Sequence, residues 1–246
     1  MKFRDTNLKR ALKNLIYPMR KNIVVLEPHL GLGDNLICLG LIRALSRREP
    51  DTHFYLACLH RCYPSLAWMF QDLDNIFLFA VESGREARQL AGFFNARYLP
   101  IGIENVDLLQ FDRFFYEQHG VPLEERWSNC QVPPGPQSEA LFASLNPGNE
   151  PYFLVCDTQS EFSRYDLEIQ NPLGRKVIEL APLTNNIYDW TKLALFAQEI
   201  HTIDTAFVHF IESTLINAPA KPLFYHLARA SQTQFTRRLP WQVIQY

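Results

Sequence analysis

The segment Gly31-Leu32-Gly33-Asp34 is the first along the chain whose residues could bind a ligand or take part in catalysis. Its two glycines let the backbone approach a ligand closely, and free amides at the start of a helix favour an anion. Asp34 lies at the same helix start, where capping of the helix is one explanation and a role toward a ligand is the other. The segment is not a dinucleotide-binding fingerprint, because the third glycine is missing and an acidic residue stands where a pyrophosphate would approach.

A second group of polar residues follows a short predicted strand over 200–203. Asp204 or Thr205 is the predicted N-cap of the next helix, and His209 follows Asp204 by slightly more than one helical turn. Both side chains could thus face one ligand at a helix N-terminus, where unpaired amides and the helix dipole attract phosphate. The alternative is a capping residue followed by an ordinary helical histidine.

Arg164 is the third candidate, on a loop that follows a predicted strand over 152–156. An arginine at the carboxyl end of a strand can grip a diphosphate through two parallel hydrogen bonds. With Glu161 and Asp166 close to it in sequence, the same guanidinium could instead form a surface ion pair. The sequence leaves both interpretations open.

The elements that hold these residues alternate between apolar runs of strand length and stretches of helical period. Residues 22–48 read as a strand, a glycine turn and a helix, the opening unit of an open α/β sheet. Further strands are predicted at 53–59, 75–81, 97–103, 152–156, 176–180, 200–203 and 222–226, and helices at 63–71, 84–94, 108–119, 189–198 and 205–215. This α/β alternation favours parallel, doubly wound sheets, whose ligands bind at the carboxyl ends of the strands.

Prolines and glycines concentrate in residues 131–150 and interrupt the alternation there. We therefore predict an N-terminal α/β domain over residues 1–130, a Pro/Gly-rich linker over 131–150 with a short helix near 139–144, and a C-terminal α/β domain over 151–246. Two such halves with a cleft between them form the expected architecture.

Composition narrows the class of protein. The chain of 246 residues is 47% hydrophobic, enough for a buried core, and its net charge of -2 argues against nucleic acid as a partner. Its five cysteines lack the spacing of a metal site or a disulfide scaffold, so we expect reduced thiols in the core and no metal. Without an apolar run of about 20 residues or a signal-peptide pattern, the protein is expected to be cytoplasmic.

Residues 1–21 predict a basic amphipathic helix, with seven cations against one anion and apolar residues on one face. Such a helix can lie on an anionic membrane surface, which would bring the protein to the inner face of the membrane. A terminal helix packed on the sheet, with its charges in solvent, is the alternative.

Gly33-Asp34 before an apolar helix, with Asp204-Thr205 and His209 in the second half, resembles glycosyltransferase family 9, the ADP-heptose:lipopolysaccharide heptosyltransferases. The resemblance implies a GT-B fold of two Rossmann-like halves with parallel sheets. In that family a glycine turn precedes an aspartate thought to act as general base on the acceptor hydroxyl, and Asp34 occupies that place. A C-terminal aspartate-threonine pattern with a histidine five residues after the aspartate contacts the nucleotide-sugar, and Asp204, Thr205 and His209 match it.

The resemblance implies an inverting glycosyltransferase, independent of metal and cofactor, with a nucleotide-sugar donor and a glycan or glycolipid acceptor. Arg164, His209 and His226 would lie on the donor side, although His226 is also a candidate for a structural role. Ala206 replaces the family's glycine, and the basic residue that grips the diphosphate has no clear match beyond Arg164 and Lys192. A catalytically degenerate module that binds a nucleotide, a glycan or a partner protein is therefore the alternative function.

Overall fold

The computed structural model describes residues 22–103, 108–159, 163–228 and 234–246. The predicted basic helix over residues 1–21 lies outside these ranges. No helix within them is long and apolar enough to cross a membrane.

The first sheet has four parallel strands in the order β3-β2-β1-β4. Its strands are β1 (Asn22–Glu27), β2 (Thr52–Leu59), β3 (Ile76–Val81) and β4 (Arg97–Pro100). Its helices are α1 (Leu32–Ile37), α2 (Leu39–Arg48), α3 (Tyr63–Met69) and α4 (Gly84–Phe93), followed by α5 (Phe111–Glu117) and α6 (Glu125–Ser128). The strand order reverses between β1 and β4, so the loops after these two strands flank the point where ligands of such sheets bind.

Both faces of this sheet are covered by helices, and the alternation of side chains along a strand decides which face each residue joins. Val24 and Leu26 of β1 point into the largest core cluster, which also contains residues of α1 and α2. Val25 points the other way and packs in a smaller cluster with Ala91 of α4. Burial on both faces explains why these strands read as continuous apolar runs in the sequence.

The second sheet has five parallel strands in the order β6-β5-β7-β8-β9. Its strands are β5 (Tyr152–Cys156), β6 (Lys176–Glu179), β7 (Glu199–Ile203), β8 (Leu223–His226) and β9 (Trp241–Ile244). Its helices are α7 (Ser138–Leu145), α8 (Thr191–Phe196) and α9 (Ala206–Leu215). The order reverses between β5 and β7, which makes the loops after these strands the second expected binding point.

Helices of the two halves pack against one another between the sheets. One continuous apolar cluster contains Leu26 of the first sheet and Leu154 of the second, with residues of α1, α2 and α9 between them. The contact between the halves is close at Gly33 in α1, where an added Cβ would lie 3.5 Å from Cα of Ala206 in α9. Packing of α1 against α9 therefore places the carboxyl edges of the two sheets beside each other.

The irregular segment 163–175 contacts the opposite face of the second sheet, where the guanidinium of Arg175 lies 5.6 Å from the ring centroid of Phe153. On this face Nδ1 of His201 lies 3.0 Å from Nε2 of His226, and Nδ1 of His226 lies 2.8 Å from the Tyr246 hydroxyl. The amide of Glu168, within the irregular segment, donates to the same hydroxyl at 3.0 Å. The segment thus reaches the buried histidine pair through Tyr246.

The α/β fold class and the predicted strands and helices are confirmed, with element ends differing by a few residues. The helix expected after the glycine turn is divided at Cys38 into α1 and α2. Strand β9 was not predicted. The predicted linker 131–150 contains α7, whose Leu141 and Phe142 are buried in the shared core, and the domain boundaries stay a prediction.

Candidate functional site

The turn after β1 is strained and is fastened to the loop after β4. His29 and Leu30 have φ angles of 48° and 60°, in the left-handed region that residues with a side chain seldom adopt. Nε2 of His29 hydrogen-bonds the carbonyl oxygen of Gly102, and the His29 ring stacks on Phe115 with centroids 5.7 Å apart. Strain of this kind persists where the surroundings over-determine it, as at binding sites.

Asp34 lies in the first turn of α1 rather than at its N-cap, which is Gly31. The carboxylate folds back toward that residue, since a Cβ added at Gly31 would lie 3.0 Å from Oδ2 of Asp34. Burial raises the pKa of Asp34 above its ordinary value, and the nearby His29 and the aspartate's own backbone amide oppose that shift. Asp34 is thus a half-buried carboxylate at the carboxyl edge of the first sheet, and it does not serve as the N-cap of α1.

The start of α9 lies at the switch point of the second sheet, the place at its carboxyl edge where the strand order reverses between β5 and β7. Thr205 is its N-cap, and the Thr205 hydroxyl accepts a hydrogen bond from the amide of Phe207 at 3.3 Å. The capping role foreseen for Asp204 or Thr205 therefore falls to Thr205. The same hydroxyl lies 3.6 Å from Sγ of Cys156, the last residue of β5, so the ends of β5 and β7 meet here.

The two candidate segments come together across the halves. A Cβ added at Gly33 would lie 3.5 Å from Cα of Ala206 and 3.6 Å from Cδ2 of His209. Gly33 is therefore packed on the first turns of α9, which places the neighbouring Asp34 close to the start of that helix. Ala206 itself lies at this contact.

His209 is buried, and its surroundings keep it neutral. Nη2 of Arg126 lies 3.3 Å from Nδ1 of His209, and the ring of Phe235 packs edge-on against the imidazole with centroids 4.5 Å apart. Burial, and secondly the charge of Arg126, lower the pKa of His209 well below its ordinary value. Arg126 and Phe235 were not among the sequence candidates, because a contact over 83 positions leaves no local pattern.

Arg164 forms an ion pair at the end of β5. Its Nε donates to Oδ2 of Asp157 at 2.7 Å, and its Nη2 donates to Oε1 of Glu179. The side chain is 60% exposed. Arg164 thus forms a surface ion pair, but with Asp157 and Glu179 in place of the sequence neighbours from which the pair was inferred, and a grip on a diphosphate stays a prediction. The other basic candidate, Lys192, pairs with Glu139 and lies over the ring of Phe142.

His226 is only 1% exposed, and both of its ring nitrogens contact protein groups, His201 and Tyr246. Burial lowers its pKa. These contacts favour the structural role over the donor-side role.

The five cysteines are buried and free, as expected. Across residues 22–103, 108–159, 163–228 and 234–246, no group of three or more His, Cys, Asp or Glu side chains is placed to hold a metal ion.

Comparisons with known proteins give the fold. No family model matches the sequence, and no curated protein is found to be similar to it. The structure resembles E. coli ADP-heptose lps heptosyltransferase II, with 12% identity, a TM-score of 0.53 and coverage of 91% of this chain and 90% of that one. It also resembles the family 9 glycosyl transferase of Veillonella parvula DSM 2008, with 10% identity, a TM-score of 0.57 and coverage of 92% and 86%. The chain therefore has the GT-B-like fold of these glycosyltransferases, with two parallel sheets.

Proposed function

We propose that this chain is a glycosyltransferase that moves a sugar from a nucleoside-diphosphate sugar to a hydroxyl of a glycan or glycolipid. The observation that carries the proposal is the contact of Gly33, the residue before Asp34 in the first half, with the helix of His209 in the second half. The fold supports it, because one protein of similar structure is an ADP-heptose lps heptosyltransferase.

Asp34 is the proposed general base. Its carboxylate takes the proton of the acceptor hydroxyl as the hydroxyl oxygen bonds to the anomeric carbon of the donor. The bond from that carbon to the phosphate oxygen breaks, and its electron pair leaves with the nucleoside diphosphate. Burial supports this role, because it raises the pKa of Asp34 and so makes the carboxylate a stronger base than an exposed one.

The diphosphate is proposed to lie at the start of α9, against Thr205 and His209. Free amides and the dipole of this ten-residue helix attract an anion, and a histidine one turn inside can donate a hydrogen bond. Arg164, on the β5 side of the switch point, is the proposed source of positive charge. To reach a phosphate it must exchange the carboxylates of Asp157 and Glu179 for the ligand.

That exchange favours a second candidate function, a degenerate module that binds a nucleotide or glycan without transfer. An arginine already paired with two carboxylates is a weaker phosphate ligand than a free one, because the anion must compete for it. The two functions share the binding site and differ in whether Asp34 does chemistry.

Calorimetry with ADP, UDP, GDP and CDP, followed by release of nucleoside diphosphate from the matching nucleotide-sugars, tests the proposal. We expect Asp34→Asn to keep binding and to lose at least about a hundredfold in turnover, the loss typical of a missing general base. The control Asp51→Asn alters an exposed aspartate and should match wild type. Binding without turnover in wild type would identify the degenerate module, and no binding of any nucleotide would exclude both functions.

Metal independence is part of the proposal and is tested in the same assay. Turnover should be unchanged after treatment with EDTA and after addition of Mg²⁺ or Mn²⁺. Loss with EDTA that returns with either ion would show that the departing diphosphate is stabilised by a metal.

A glycolipid acceptor would lie at a membrane surface, which the predicted basic helix over residues 1–21 would help the protein reach. Cosedimentation with vesicles containing anionic lipid, compared with vesicles of neutral lipid, tests this contact. Equal pelleting with both, or pelleting unchanged by removal of residues 1–21, would exclude it.

A further inference from the structure

A buried chain of polar groups leads from α5 to the candidate site. Asp112 is 1% exposed, Arg126 is 4% exposed and His209 is 8% exposed. Nη1 of Arg126 donates to the carboxylate of Asp112, and Nη2 lies 3.3 Å from Nδ1 of His209. One guanidinium therefore bridges a carboxylate and the imidazole that faces Gly33.

The end of this series of polar groups that lies away from the candidate site, at Asp112, is fixed by hydrogen bonds to Thr236. The amide of Thr236 donates to Oδ1 of Asp112 at 3.0 Å, and the carbonyl oxygen of Thr236 accepts from Nη1 of Arg126 at 3.1 Å. Arg126 is thus fixed by two oxygen acceptors before it reaches His209. Both of these bonds are made by Nη1, which leaves Nη2 for the contact with His209.

The direction of the hydrogen bond at His209 follows from the chemistry of arginine. A guanidinium has donors and no acceptor, so Nδ1 of the imidazole must accept. A neutral imidazole carries one proton, which then lies on Nε2. Cδ2, the ring carbon bonded to Nε2, is the atom that faces Gly33, so the N–H lies on the edge of the ring nearer α1.

We propose that Arg126, held by Asp112, is a positioning residue that fixes His209 as the Nε2–H tautomer, with Nε2 donating to a phosphate oxygen of the bound nucleoside diphosphate. The proposal rests on the proposed function for its ligand, and on the buried Asp112–Arg126–His209 contacts for its geometry. His209 then acts as an oriented neutral donor and not as a cation. The positive charge near the leaving group is then supplied by Arg164, as proposed above.

Nuclear magnetic resonance of ¹⁵N-histidine-labelled protein tests the tautomer without any assay of activity. Long-range proton–nitrogen spectra, with His209 assigned by the loss of its signals in His209→Gln, should show a protonated Nε2 and a bare Nδ1 at pH 7. A protonated Nδ1, or a ring carrying both protons at that pH, would overturn the positioning role.

Two variants separate positioning from folding. Arg126→Lys keeps a cation for Asp112 but cannot fork to His209 as well, so the His209 tautomers should mix and nucleotide affinity should fall by about tenfold. The double variant Asp112→Asn with Arg126→Met removes both buried charges and should give the same change if the lysine protein fails to fold. Arg113→Lys, a matched exposed position on α5, should alter neither the spectrum nor the affinity.

A comparison of two substitutions at position 209 distinguishes a hydrogen-bond donor to the ligand from a side chain that only packs. His209→Gln can present an amide N–H near the place of Nε2 and should retain part of the affinity that His209→Ala loses. Unchanged tautomer and affinity in Arg126→Lys would overturn the proposal. If wild-type protein binds no nucleoside diphosphate, the proposed function and the ligand of His209 fail together, whereas a wrong tautomer defeats the positioning role alone.

Discussion

Gly33 of α1 packs directly on His209 of α9, and a methyl group added at Gly33 would lie 3.6 Å from Cδ2 of the imidazole. This is ordinary van der Waals distance, so the contact has room for one methyl group and not for a branched chain. The glycine was expected to let a ligand approach the backbone. In the structure what approaches it is the helix of the other half.

Gly33→Ala and Gly33→Leu should therefore differ sharply. The alanine variant should keep nucleotide affinity and gain up to about 1 kcal/mol in the free energy of unfolding, because alanine is the better helix former. The leucine variant must displace His209 or α9 and should lose affinity by about tenfold or more. Calorimetry and urea unfolding measure the two effects. An alanine variant that binds no nucleotide would show that the backbone at Gly33 meets the ligand itself.

Gly40→Ala should destabilise the whole protein. Its Cβ would come within 2.0 Å of the carbonyl oxygen of Glu125, so α2 and α6 must separate, at a cost of about 3 kcal/mol or more. Gly92→Ala is the matched control, because Gly92 also lies in a helix, α4, and nothing stands within 4 Å of its added Cβ. Urea unfolding should rank the proteins Gly40→Ala, wild type, Gly92→Ala in rising stability. Equal stability of Gly40→Ala and wild type would contradict the close helix contact.

Glu212→Gln tests a buried carboxylate on α9. The Glu212 side chain, 1% exposed, accepts from the indole N–H groups of Trp127 and Trp241 and from the amides of Arg238 and Leu239. A glutamine has only one oxygen for these donors and turns an N–H group toward the rest, so the variant should lose about 2–3 kcal/mol. The measurement is the free energy of unfolding in urea.

The control for that variant is Glu139→Gln, whose side chain is 80% exposed and pairs with Lys192 on the surface. It should stay within about 0.5 kcal/mol of wild type, as exposed ion pairs contribute little. A Glu212→Gln protein as stable as this control would show that the four donors find other acceptors.

Local chemistry explains what the sequence could predict. Apolar runs mark strands that are buried on both faces. The glycine turn before Asp34 and the capping pattern at Thr205 mark the starts of helices. Each of these signals lies within a short stretch of sequence, so the elements and the candidate residues can be recognised there. The fold class follows from the alternation of these elements. His209 was found because it lies within the same window as the cap.

Long-range contacts explain what it could not. Arg126 reaches His209 from 83 positions away, and a single buried arginine gives no periodic signal. Strand β9 has four residues directly after Pro240, too short to stand out from a loop. The partners of Arg164 were not deduced, because Glu179 comes beside it only through the pairing of β5 with β6.

The histidine pair on the outer face of the second sheet should make stability fall in acid. Burial, and secondly His226, lower the pKa of His201 from 6.5 to about 4. Above pH 6.5 the ring is neutral in both the folded and the unfolded chain, and stability does not depend on it. Between pH 6.5 and 4 the unfolded chain binds a proton that the folded protein does not, so the free energy of unfolding drops by about 3 kcal/mol in total and levels off below pH 4.

His201→Phe should remove this share of the acid sensitivity, since phenylalanine can keep the stack on Phe224, whose ring centroid is 4.5 Å from that of His201, and cannot titrate. Urea unfolding at half-unit steps from pH 7.5 to 4 measures the difference between wild type and variant. His60→Gln, at an exposed histidine, should keep the wild-type slope. Parallel curves for wild type and His201→Phe over this range would place the acid sensitivity at other groups, such as His226, whose pKa is also lowered by burial.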